Sequence, residues 1–223
     1  MSDDALPLPA SLWDSPEGSD VILSYGDKRL HAHWDVVKKC SGYFRAAFRK
    51  DYNGRCVWKE GQKEIFTFPP NEDAAAIDKM LRYIYRRRGG LIIHKDCPPL
   101  YSYEIDDMLL LVKELILADK YDVPSLVEDL LGHFSNWVMF FFDHQSHTIV
   151  YQVIATLYDN DHPALQPLRE TLAFKFARIA IAEDFMRSKI FVELMEDVPR
   201  LGLETMLLVK RGLLRNDLQL SFD

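Results

Sequence analysis

Apolar and polar residues alternate in one early stretch of this chain, and helical spacing governs nearly everything after it. Val21, Leu23 and Tyr25 alternate, Gly26-Asp27-Lys28 turns the chain, and Leu30, Ala32 and Trp34 alternate again. Side chains two apart share a strand face, so the pattern predicts a β-hairpin. From Val36 the apolar steps become three and four: Val36, Val37, Cys40, Tyr43, Phe44, Ala47 and Phe48, interrupted at Ser41-Gly42. That spacing predicts two short helices, with Ser41 capping the second and Phe44 and Phe48, one turn apart, reaching the core. Glu64 to Pro69, rich in Phe and Thr and ended by Pro70, predicts another strand.

Everything later is helical in pattern. Ile77, Met80, Leu81, Ile84 and Tyr85 form an amphipathic stripe that Gly89-Gly90 ends. A helix from about Asp106 to Lys120 is apolar all round, and Asp122-Val123-Pro124 opens the next, with Leu126, Leu130, Phe134 and Val138 on one face. Beyond residue 143, helices are expected through Ile149 to Leu157, from Asp161-His162-Pro163 to Ile179, after Ser188, and from Pro199 through Leu203, Met206, Leu207 and Leu214. Strands early and helices alone at the end place the chain in the α+β class. The expected divisions are a mobile N-terminal arm at 1–18, carrying Pro7, Pro9 and Pro16, a mixed domain at 19–138 and a helical extension at 139–223.

With 223 residues, 48% hydrophobic and 12% aromatic, the chain can close a substantial core. A net charge of −7 disfavours nucleic acid as a partner. Cys40, Cys56 and Cys97 have neither disulfide nor zinc spacing and suit a reducing compartment. Met1 to Pro16 has no apolar run, and the most apolar stretches are broken by charge before a membrane span is reached. A cytoplasmic or nuclear protein is therefore expected, with no membrane partner.

No phosphate-binding glycine loop, nucleophile elbow or zinc-protease motif is present, so neither an enzyme nor a cofactor is expected. His144 and His147 stand one turn apart beside Asp143, yet with no third ligand nearby they make a solvated helix start rather than a metal site. Arg86-Arg87-Arg88 closes a helix, where cations complement the dipole.

Ser19-Asp20-Val21, Leu30-His31-Ala32-His33 and Cys40-Ser41-Gly42-Tyr43-Phe44-Arg45-Ala46-Ala47-Phe48, taken in order, resemble the opening of the BTB/POZ family. Ile65-Phe66-Thr67-Phe68, Leu81-Arg82-Tyr83-Ile84-Tyr85 and Ala118-Asp119-Lys120-Tyr121-Asp122-Val123-Pro124-Ser125-Leu126 continue the likeness, which spans residue 19 to about 138. The resemblance implies a short β-sheet flanked by α-helices and a protein-interaction module, here followed by an all-α extension. Asp20 and His33 then read as structural residues, with Asp20 bonding nearby backbone or His33.

The family's habits imply homodimerisation through the N-terminal helices, which include Val37 and Tyr43. Leu12 and Trp13, apolar residues in a segment with no core of its own, are candidates for the same interface. Many such proteins are adaptors that dock a cullin of a ubiquitin ligase through a hydrophobic-x-Glu step, and Trp58-Lys59-Glu60 stands near that place. The alternative is a transcription-associated or structural self-association protein that binds no ligase. Trp34 occupies a position where the family usually carries Lys or Arg, which tells against the charged interface pocket of its transcription-regulating members.

Overall fold

The computed structural model describes residues 12–50, 52–53, 64–87, 105–144, 147–182 and 189–215. The chain divides into two compact units, one of Met1–Pro98 with Leu110–Leu130, the other of Pro99–Leu109 with Leu131–Asp223.

In the first unit, β1 (Val21–Tyr25) and β2 (Lys28–Ala32) form the expected hairpin, and β3 (Ile65–Thr67) lies on the other side of β1. β1 and β2 are antiparallel, with Val21 opposite Ala32 and Leu23 opposite Leu30. β1 and β3 are parallel, with Leu23 opposite Phe66. Val21, Leu23 and Tyr25 are buried while Ile22 and Ser24 are half-buried, so the sequence alternation is the alternation of faces. The turn works because Gly26 adopts φ +52°, a left-handed conformation, and a Cβ there would meet the Ala74 side chain at 3.1 Å.

A parallel partner requires a crossover, and α1 (Trp34–Cys40) and α2 (Gly42–Ala47) lie within it. Ser41, extended at φ −123° and ψ 123°, ends α1 and starts α2. α3 (Ala74–Arg87) begins where Asp73 Oδ1 accepts the N–H groups of Ala75 (2.9 Å) and Ala76 (3.1 Å). The Lys113 ammonium, 2.7 Å from Oδ2, and these amides hold the Asp73 carboxyl below its usual range. α3 buries Ile77, Met80, Leu81 and Ile84, the stripe legible in the sequence.

α4 (Ile105–Lys120) and α5 (Pro124–His144) are joined by a turn in which Asp122 has φ +48°. Tyr43, Phe44, Phe48, Phe66, Phe68 and Tyr121 form one aromatic cluster beneath the sheet, most pairs meeting edge to face.

The helices α6 (His147–Asp159), α7 (Gln166–Ala182), α8 (Lys189–Asp197) and α9 (Pro199–Arg215) belong to the second unit, where α7 packs on both α6 and α9, and α8 on α9. A 3-10 turn at Pro163–Leu165 leads into α7, capped by His162 Nδ1 accepting the Ala164 N–H at 3.2 Å. Arg169 is only 2% exposed. Its guanidinium donates to the carbonyls of Leu157 (3.0 Å) and Asn160, and reaches that of His162 at 3.4 Å. A buried cation thus serves the carbonyls where α6 ends.

Among the described side chains of α9, Leu201 and Thr205 are buried, as is Val198 just before it, whereas Leu203, Met206 and Leu207 are exposed. Leu203, Met206 and Leu207, which stand out in the sequence, therefore do not form the buried face of α9, and the Leu214 side chain lies outside the described residues. Among the described residues no helix is long and apolar enough to cross a membrane.

Candidate interaction surfaces

Asp20 precedes β1, and its Oδ1 accepts the Trp34 backbone N–H at 2.7 Å. That amide is the first of α1 and has no intrahelical acceptor, so Asp20 fills the place from another part of the chain. His33 does not bond Asp20. Its backbone N–H donates to Tyr85 Oη (2.8 Å), Nδ1 lies 3.2 Å from the same oxygen, and Nε2 lies 2.9 Å from the Glu17 carbonyl. The tautomer with its proton on Nε2 satisfies the set, with the Tyr85 hydroxyl donating to Nδ1. Burial pushes the Tyr85 phenol up to about 12, which keeps that donor protonated.

Residues 12–18, expected within the arm, are tied to this junction. The Trp13 ring stands edge-on to Tyr85 at 5.4 Å, and the Arg82 guanidinium lies 4.6 Å from its centre. Asp14 Oδ1 accepts the His31 backbone N–H on β2 at 3.0 Å. The physical reason is side-chain chemistry rather than secondary structure: an aromatic, a carboxylate and a carbonyl each find a fixed partner. Residues 1–11 lie outside the described residues.

Ser41 Oγ accepts the Phe44 N–H at 3.1 Å and donates to the Tyr121 carbonyl at 2.5 Å. Beside it the Gly42 N–H donates to the Asp122 carbonyl at 2.8 Å. These bonds lock the α1–α2 break to the α4–α5 turn. Phe44 and Phe48 are buried, with rings stacked 6.0 Å apart. Of the expected interface residues, Val37 is 0% exposed and wholly enclosed by its own chain. It can only support a surface from beneath. Tyr43 is half-buried, with its ring edge-on to Tyr121 at 5.0 Å. Leu12 and Trp13 are also half-buried. Trp34 lies against Phe48, ring centres 3.4 Å apart, with the Lys38 ammonium 6.0 Å from its ring.

Trp58, Lys59 and Glu60 lie outside the described residues, as do the side chains of His144 and His147. Among the described residues no three His, Cys, Asp or Glu side chains are grouped to hold a metal ion.

Sequence reasoning missed the carboxylate of Glu114, 7% exposed on α4. The Lys79 ammonium is 3.6 Å from its Oε1, long for a hydrogen bond, and that oxygen has no hydrogen-bond partner among the described residues. Burial raises its carboxyl to about 7, and Lys79 only partly opposes the shift. Nothing in the apolar run around Glu114 marks it in the sequence.

A three-stranded sheet β2-β1-β3, a broken helix after the hairpin, and a serine hinge locked to a later Tyr-Asp-Val turn define an α+β interaction domain. The BTB/POZ domain family matches this chain over residues 10–135, and the chain belongs to that family. Helices continue beyond the matched segment. No curated protein matches the chain. BTB domains mediate protein–protein interactions, often self-association, and are typically non-enzymatic.

Proposed function

We propose that this chain is a self-associating adaptor or scaffold that recruits a cullin-type ubiquitin ligase through Trp58, Lys59 and Glu60. The observation that carries the reading is the family match over residues 10–135. Half-buried Leu12, Trp13 and Tyr43 support self-association. Trp13 and Tyr43 are anchored on their own chain while part of each ring stays open, so little side-chain freedom is lost when a partner covers them. A Trp flanked by Glu suits a hot spot, the ring filling a pocket and the carboxylate setting orientation. The cysteine spacing supports action in the cytoplasm, the nucleus or both.

Light scattering on the purified chain and calorimetric titration with a cullin N-terminal domain test the two halves of the reading. The expected result is a dimer that binds the cullin at micromolar strength or tighter, with binding lost and folding kept in Glu60→Ala. A folded dimer that gives no heat with the cullin sinks the ligase half and leaves a transcription-associated or structural scaffold. A monomer sinks self-association.

A further inference from the structure

The joint between α1, α2 and α5 leaves a cleft whose walls are polar. Lys39 and Cys40 come from the end of α1, Gly42 and Arg45 from α2, and Asp122 and Ser125 from the turn and first residues of α5. Ser125 is 8% exposed and lines this cleft, and its hydroxyl has no hydrogen-bond partner among the described residues. Its hydroxyl oxygen stays open to solvent, so a polar group entering the cleft can take the place of water on it.

Two further features give the partner's charge. Ser125 is the second residue of a 21-residue helix, so its N–H has no intrahelical acceptor, and Pro124 before it offers none to share. That end of the helix carries a partial positive charge. Lys39 and Arg45, both exposed, also line the cleft. Arg45 uses Nε on the Lys38 carbonyl (3.2 Å), which leaves its terminal nitrogens without a partner among the described residues.

We propose that this cleft binds an acidic side chain of a partner polypeptide, a carboxylate or a phosphorylated residue, whose oxyanion is held by Lys39, Arg45 and the Ser125 hydroxyl. Asp122 decides between a peptide and a bare anion. Its carboxylate lies over Gly42, where a Cβ would come within 1.6 Å of Oδ2. It repels a small anion but accepts an N–H from a main chain passing the rim. The mixed wall therefore fits an acidic side chain with its own backbone attached. The inference rests on the interaction-module reading and names one surface through which a partner is read.

The test is amide NMR on the full-length ¹⁵N-labelled chain. It is titrated with inorganic phosphate and with short Gly-Ala peptides that differ only in a central phosphoserine, Glu or Gln. The Ser125 and Gly42 resonances are expected to shift saturably with the phosphoserine and Glu peptides and not with the Gln peptide. Affinity for the phosphoserine peptide should exceed that for phosphate. The Lys39→Ala/Arg45→Ala double variant, altered only at exposed positions, should weaken peptide binding about tenfold or more while keeping its melting temperature. Absence of shifts at these resonances, or equal binding by the double variant, overturns the proposal. Phosphate binding as tightly as the peptides overturns the peptide assignment. Light scattering on the same samples reports self-association separately, so a failed cleft and a failed interaction module give different results.

Discussion

Ser41 satisfies one helix and grips another element with a single hydroxyl, accepting from Phe44 and donating to Tyr121. Ser41→Ala removes both bonds and leaves the Tyr121 carbonyl buried without its donor. A loss of about 1–3 kcal/mol is expected, read as a lower urea midpoint with unchanged slope. Glu114 acts in the opposite sense. Its folded carboxyl titrates at about 7 against an ordinary 4.5, so the folded state holds the proton more tightly than the unfolded chain. Its contribution is complete below pH 4.5 and is lost as pH rises through about 7. That shift corresponds to roughly 3 kcal/mol at most. Urea unfolding at pH 5 and pH 8 should show Glu114→Gln gaining stability over the parent chiefly at pH 8. A gain equal at both pH values would mean that the burial of this carboxylate is not what the substitution relieves.

At the level of elements, the structure depends on joints between helices as much as on helices. Gly42 begins α2 against Asp122, whose φ of +48° leaves its backbone little room to move. Gly42→Ala should destabilise by about 1–3 kcal/mol. Because the Asp122 side chain makes the clash, Asp122→Ala should recover part of that loss in a double-mutant cycle of thermal melts. In the second unit Arg169 supplies several N–H groups to the end of α6 and the loop after it. Lys at that position offers one compact ammonium in place of a planar fork, so Arg169→Lys should cost about 2–4 kcal/mol. Tryptophan fluorescence and far-UV dichroism followed through urea unfolding would measure it. α9 shows why periodicity locates a helix more surely than it orients one. Leu203, Met206 and Leu207 carry the apolar spacing, yet the face toward the unit's interior is the one with Leu201 and Thr205.

For the whole molecule, self-association predicts a light-scattering mass about twice 25.9 kDa, with Trp13→Ala shifting the equilibrium toward monomer. An unchanged dimer in that variant would remove Trp13 from the interface and leave only its contacts to Tyr85 and Arg82. Much of this fold was legible before any coordinates. The hairpin, the Ser41 break, the α3 stripe and the order of helices follow from spacings of two, three and four, because backbone geometry alone decides which side chains share a face. The α+β class and the BTB/POZ resemblance followed from the same residues. What the sequence could not show depends on residues far apart in the chain. Asp20 meets the α1 amide of Trp34 rather than His33, Trp13 rests on Tyr85, Val37 is enclosed, and Ser125 lines one cleft with two cationic residues. A side chain's partner is set by which elements fold against it, and only the tertiary structure decides that.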